Sequence, residues 1–139
     1  AIKVKEFVPV AVVPVAGGFM EVSIEGCSLK ISSEISDLNL PVISGTGIEK
    51  SVQPGNKVEN SRFSVALQVL ECLGSNGTVA EIDVHDVQRI NMYTFSKTKV
   101  LLGNNQGLEE KINLALDISS RVPTAEYIDV RFPKSPVYK

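Results

Sequence analysis

"ENSRFSVALQVLECLG", residues 59–74, decides how the rest of the chain is read. Phe63, Ala66, Leu67 and Leu70 recur at i, i+3, i+4 and i+7, which makes one apolar stripe along a helix. Val65, Val69 and Cys72 lie beside it and widen the buried face. Asn60 can cap the start and Gly74 can stop the end, so the spacing predicts a helix over about residues 59–73. Around this helix the period changes from helical to alternating. Asn76-Gly77 reads as a turn into "VAEIDVHD", where Ala80, Ile82 and Val84 share a face. "INMYTF" and "KTKVLLG" follow as two strands joined near Ser96-Lys97.

A second helix is predicted over residues 108–119. Its stripe is Leu108, Ile112, Ala115 and Leu116, and Glu109 and Glu110 suit the positive end of its dipole. Pro123 ends it, and a closing strand begins at about Glu126. Upstream, Val8 to Val15 is too apolar to alternate and is broken by Pro9 and Pro14, so it reads as a buried strand. Gly17-Gly18 interrupts the chain. Phe19 to Ile24 then alternates, turns at Glu25-Gly26 and returns over Cys27 to Ser32 as a hairpin. "SSEISDLNLPVISGTG" reads as loop with a short apolar piece at Leu40 to Ile43. Strands, helix, three strands, helix, strand is the order of an α+β fold. A largely antiparallel sheet, two helices on one face and a C-terminal edge strand are expected.

The bulk numbers fit one domain. The chain has 139 residues, 43% of them hydrophobic and 22% charged, with a formal net charge of −2. Such a balance argues against sequence-independent nucleic-acid binding, which needs a basic field. Two cysteines, Cys27 and Cys72, and a single histidine build no zinc site, and no metal or other cofactor is expected. The cysteines read as buried free thiols, although a disulfide stays open. "AIKVKEFVPVAVVPVAGG" imitates a signal peptide through Lys3, Lys5 and the apolar run after them, but Glu6, Pro9 and Pro14 favour extended structure. Ala1 in first place reads as the start of a processed or excised chain, and no stretch has the ~20 apolar residues that span a bilayer.

No catalytic constellation is legible, and no enzyme is expected. "GTGIEKS", residues 45–51, has two glycines before Lys50-Ser51, yet Glu49 stands where a phosphate loop needs glycine. His85 beside Asp83 and Asp86 tempts a triad, but no serine sits in a nucleophile elbow. Glu109 and Glu110 are adjacent and so do not face each other on a helix. Asn76-Gly77-Thr78 is a formal glycosylation sequon as well as a strong turn signal.

What remains is a set of motifs in order. "LPVISGTG" (residues 40–47), the helix ending at Leu73, "VAEIDV", "INMYTFSKTKVLLG" (residues 90–103) and "YIDVRFP" (residues 127–133) together resemble the extracytoplasmic β-domain of the FtsQ and DivIB division proteins. Upstream, "VKEFVPVAVV" and "FMEVSIEGCSL" are similar to the strands where that family's POTRA domain joins its β-domain. The resemblance implies a division with residues 1–16 as the end of a POTRA-like domain or linking strand and 17–139 as the β-domain. Ser23 and Glu25 stand where the family more often has Asp, and the family's basic pair before "INMYTF" is reduced to Arg89.

The resemblance further implies a single-pass membrane protein with this domain outside the cytoplasm, at the division septum. Its partners would be the small bitopic proteins FtsB (or DivIC) and FtsL, and its role would be to help control septal peptidoglycan synthesis. In that family the last strand accepts an added strand. Carried over, the partner-binding residues are Tyr127, Asp129, Arg131, Phe132, Lys134, Ser135 and Val137, with Arg89. Alternation places Ile128, Val130 and Phe132 toward the helices and Tyr127, Asp129 and Arg131 on the other face. From the residues alone the closing strand is either a partner edge or a protected edge that simply ends the sheet. A different reading is an extracytoplasmic module that binds a ligand or wall polymer through the loop from Gly45 to Lys57.

Overall fold

The computed structural model describes residues 8–139, so the Lys3–Lys5 head of the signal-like segment lies outside the described residues. Eleven elements follow in chain order: β1 (Pro9–Val15), β2 (Gly18–Ser23), β3 (Ser28–Ser32), β4 (Val42–Ser44), α1 (Ser61–Leu73), β5 (Val79–Asp83), β6 (Ile90–Thr94), β7 (Lys99–Gly103), α2 (Leu108–Arg121), β8 (Tyr127–Asp129) and β9 (Val137–Tyr138). The strands form one sheet in the order β3-β2-β1-β4-β5-β6-β7-β8-β9. The α+β class holds, but the sheet is mixed. Five pairings are antiparallel, and β1–β4, β4–β5 and β7–β8 are parallel.

Two of the three parallel pairs, β4–β5 and β7–β8, follow from the helices, while β1–β4 arises where the chain returns from β3 to the other side of β1. A strand that returns through a helix arrives pointing the same way as the strand it left. Both helical crossovers advance by one step in the same direction along the sheet, so one handedness puts α1 and α2 on the same face. The two helices touch each other there, and they contact β5, β7 and β8.

The segment expected as loop supplies β4, which sits between β1 and β5 near the middle of the sheet. The link from β3 crosses behind β2 and β1 to reach it. Ser36 Oγ donates to Glu21 Oε2 (3.1 Å) along the way, and the Val12 amide donates to the Pro41 carbonyl (3.0 Å) where the chain joins β1 as β4. β1, which lies on the 1–16 side of the expected domain division, is flanked by β2 and β4 within the same sheet.

The core lies between the helices and one face of the sheet. Phe63, Ala66, Val69, Leu70 and Leu73 of α1 are buried there, with Ile112, Ala115 and Ile118 of α2. The real stripe is rotated slightly from the expected one, and Leu67 and Leu116 are only half-buried. Leu67 instead leans over the hairpin turn, 3.0 Å from where a Cβ at Gly26 would stand. In β5 a register shift between Val79 and Glu81 turns Val79 inward, which leaves Ala80 half-buried. Asn60 caps α1 as expected, its Oδ1 accepting from the Phe63 amide at 2.9 Å.

Ser28 is fully buried on β3, and its Oγ has no hydrogen-bond partner among the described residues. An unsatisfied buried hydroxyl costs free energy that its removal recovers. Ser28→Ala is therefore expected to leave stability unchanged or raise it by up to about 1 kcal/mol, read as the urea midpoint. A clear loss of stability would show that the hydroxyl has a partner.

The closing strand departs most from its expectation. Ile128 and Val130 are fully buried, but Phe132 is 72% exposed instead of lying on the core. The ladder continues only as far as the Val130 amide, which donates to the Leu101 carbonyl (3.1 Å). Beyond it Asp129 Oδ1 takes the Arg131 amide (3.0 Å), and Pro133 has no N–H to continue the pairing. Phe132 therefore falls on a turn, closed by the Ser135 amide on the Phe132 carbonyl (2.9 Å). The edge of the sheet is then not β8 but the short β9, folded back along it.

Candidate functional site at the C-terminal edge of the sheet

β9 pairs with β8 in antiparallel register, Ile128 opposite Tyr138 and Asp129 opposite Val137. The Lys139 amide donates to the Tyr127 carbonyl (3.2 Å), and the Tyr127 amide reaches back to the Lys139 carbonyl (3.4 Å). In such a ladder bonded and non-bonded pairs alternate. Tyr127–Lys139 and Asp129–Val137 are thus bonded pairs, and the Tyr138 N–H and C=O point outward, away from the sheet. Pro136 offers no N–H beside them. The outer rim presents one complete donor–acceptor pair, framed by a proline.

Side chains divide between the two faces. Tyr138 is 52% exposed and lies beside the C-terminal end of α2, near Ile118, Arg121 and Val122. Val137 is equally exposed and shares the helix-free face with Asp129. On that face the register aligns Glu81, Tyr93, Lys99 and Tyr127 in one row and Asp83, Asn91, Leu101 and Asp129 in the next.

A shallow basin opens at the end of these rows, lined by Arg89, Asn91, Lys99, Leu101, Gly103 and Arg131. Gly103 makes room for it. A Cβ there would stand 3.2 Å from Arg131 Cγ, and its φ of 72° is one that side chains other than glycine rarely adopt. Arg131 is anchored by Asp129 through Nε–Oδ1 (3.0 Å) and Nη2–Oδ2 (2.7 Å). Arg89 and Lys99 have no such carboxylate partner among the described ion pairs, so the basin is net basic.

The Arg131 side chain hydrogen-bonds Asp129 and holds its carboxyl below the usual range. Burial works against this shift, while the Arg131 amide and charge add to it. The contribution to stability is thus fully present above the ordinary carboxylate pKa of about 3.9 and is lost as pH falls through the lowered folded value. Arg131's side chain is 48% exposed, so the pair is worth under about 1 kcal/mol. The stability gap between wild type and Asp129→Asn is expected to shrink between about pH 6 and about pH 3 in urea melts. A gap that holds constant would show that the pair is not coupled to folding.

The structure thus brings Arg89 and Arg131 to one basin. It leaves Phe132, Lys134 and Ser135 exposed on the turn, with Val137 on β9 and Tyr127 and Asp129 half-buried on β8. Lys99, Asn91 and the outward backbone of Tyr138 are additions that sequence reasoning missed. Only the cross-strand register reveals them. The other sequence candidates do not assemble. Asp83 Oδ1 accepts the His85 backbone amide and Asp86 Oδ1 that of Gln88, both at 2.9 Å. The loop from Gly45 to Lys57 is tied down by its own backbone, through Glu49 to Ala16 (2.7 Å) and through Gly55 and Asn56 to Ser28 (2.7 and 2.9 Å). Cys27 and Cys72 are free and half-buried, and burial, with Glu109 and Glu71 nearby, pushes the Cys72 thiol up. Among the described residues no helix is long and apolar enough to cross a membrane.

The family model for "Cell division protein FtsQ/DivIB, C-terminal" matches residues 11–131. The chain belongs to the FtsQ/DivIB family. Among solved structures it is similar to the major extracytoplasmic domain of the trans isomer of the bacterial cell division protein DivIB from Geobacillus stearothermophilus. The alignment covers 86% of this chain and 96% of that one, with a TM-score of 0.53 and 14% identity. At that identity the likeness speaks for the fold. No curated protein matches the chain. The family match stops at Arg131, so the exposed turn and β9 lie beyond it.

Proposed function

We propose that this FtsQ/DivIB domain is a noncatalytic scaffold that holds small bitopic division proteins of the FtsB/DivIC and FtsL kind, and through them helps regulate septal peptidoglycan synthesis. On this reading the domain sits on the extracytoplasmic side of the cell membrane at the septum, as part of a single-pass membrane protein. The observation that carries the proposal is the outer rim of β9. It offers an open N–H and C=O at Tyr138, exposed apolar Val137 next to it and Phe132 on the turn leading into β9, and a basic basin on the adjoining face. An extended segment can add a strand to such an edge. A carboxylate on the same segment then meets Arg89, Lys99 and Arg131.

The test is binding of the extracytoplasmic segment of the FtsB/DivIC-type protein from the same cell, measured by calorimetry. Phe132→Lys replaces an exposed apolar contact without touching the core, so the melting temperature is expected to stay put. Affinity is expected to fall about tenfold or more. Arg89→Glu is expected to weaken binding too, with an effect that fades as salt is raised. Unchanged affinity in both variants would refute the assignment of this edge and basin.

A further inference from the structure

Asn76-Gly77-Thr78 belongs to neither the core nor the C-terminal edge. It forms the turn between α1 and β5. The Asn76 amide donates to the Leu73 carbonyl (3.0 Å), and the Thr78 carbonyl accepts from Phe95 (3.0 Å), so both ends of the turn are fixed. Asn76 Oδ1 accepts the Thr78 amide at 2.9 Å. That bond folds the side-chain amide back over the peptide that follows it. Asn76 and Gly77 are exposed, and a Cβ at Gly77 would meet nothing within 4 Å. The nucleophile of an intramolecular attack on Asn76 Cγ is the Gly77 nitrogen, the least hindered of any peptide nitrogen. The Thr78 N–H already sits on the oxygen that gains charge in that attack, and the two reacting groups share one turn.

We propose that Asn76 is a self-modification site, at which the folded chain converts its own side-chain amide to a carboxylate with water as the only co-reactant. The Gly77 nitrogen gives its proton to a solvent base and bonds to Asn76 Cγ. The Thr78 N–H holds the negative charge that appears on Oδ1. Collapse breaks the Cγ–Nδ2 bond, and Nδ2 takes up a proton and leaves as ammonia. Water then opens the five-membered imide at one of its two carbonyls. One opening gives aspartate at position 76. The other gives isoaspartate, with the main chain rerouted through Cβ and Cγ. Nothing is oxidised or reduced. Asn76 lies on the rim of an apolar hollow shared with Val10, Ile24, Leu70, Leu73 and Val79, so the product sets a new carboxylate there beside Glu71. The isoaspartyl form also lengthens the link into β5.

The test is peptide mapping after incubating the purified folded chain in mildly alkaline buffer, with the same chain unfolded in urea alongside. The folded chain is expected to accumulate aspartate and isoaspartate at position 76 at least as fast as the unfolded one, and ahead of its other asparagines. Gly77 lies outside the left-handed region and has open space, so Gly77→Ala keeps the fold; it is expected to slow the conversion about tenfold or more. A folded chain that keeps Asn76 while the unfolded chain converts would overturn the proposal, because the turn would then protect the amide. Equal rates in Gly77→Ala and wild type would overturn it as well.

Discussion

Gly45→Ala lowers the melting temperature by about 10 °C or more, whereas Gly17→Ala lowers it by only a few degrees. Both glycines sit in the left-handed region, with φ of 81° and 82°, so a side chain at either one carries similar backbone strain of about 1–2 kcal/mol. They differ in what surrounds them. A Cβ at Gly17 meets nothing within 4 Å, while at Gly45 it lands 2.5 Å from the His85 nitrogen and 2.6 Å from its Cα. Those atoms are backbone and cannot rotate away. Gly45 follows β4 directly, and the Val84 amide donates to the Ser44 carbonyl (3.0 Å) where β4 and β5 part. Room for a Cβ comes only from prising apart the middle of the sheet, at about 3 kcal/mol or more. Thermal melts of the two variants decide the matter. Equal losses at both sites would refute the argument that the His85 backbone blocks a side chain at Gly45.

The same glycine shows where the sequence was legible and where it was not. "LPVISGTG" stood out as a motif, but its role as a strand did not. Val42, Ile43 and Ser44 are three residues with sheet on both sides, too short for alternation to register. The helices were readable because a stripe sampled over three turns averages out local exceptions, even though Leu67 and Leu116 were misjudged by part of a turn. Phe132 departs from its expected place for the opposite reason. The alternating pattern runs on through Phe132, but a local contact, Asp129 with the Arg131 amide, ends the strand before it. β9 is only two residues beyond a proline and carries no periodic signal of its own. Arg89 and Arg131 are far apart in sequence, and only the β6–β7–β8 register makes them neighbours. Sequence pattern reports which residues are buried along one element. The site depends on pairings between elements.

That dependence makes prolines at adjacent positions of β9 a sharp probe of the edge. The Tyr138 N–H points away from β8, so Tyr138→Pro removes one outward-facing donor, and the ring with it, and leaves the bonds to Tyr127 and Asp129 in place. Relative to Tyr138→Ala, which loses the same ring, stability is expected to change by less than about 1 kcal/mol, as for other edge-strand prolines on the solvent side. Binding of the FtsB/DivIC-type segment is expected to fall about tenfold to a hundredfold, the worth of a buried main-chain bond left unmade. Tyr138→Ala supplies the needed control, since it removes the ring and keeps the amide. Val137→Pro attacks the inward bond instead and frees β9 from β8, so both stability and affinity should drop. Strand addition at this edge requires that Tyr138→Pro bind clearly worse than Tyr138→Ala while the two variants melt alike. If the two variants bind alike, the partner contacts only side chains, and the backbone of β9 is no more than the end of the sheet.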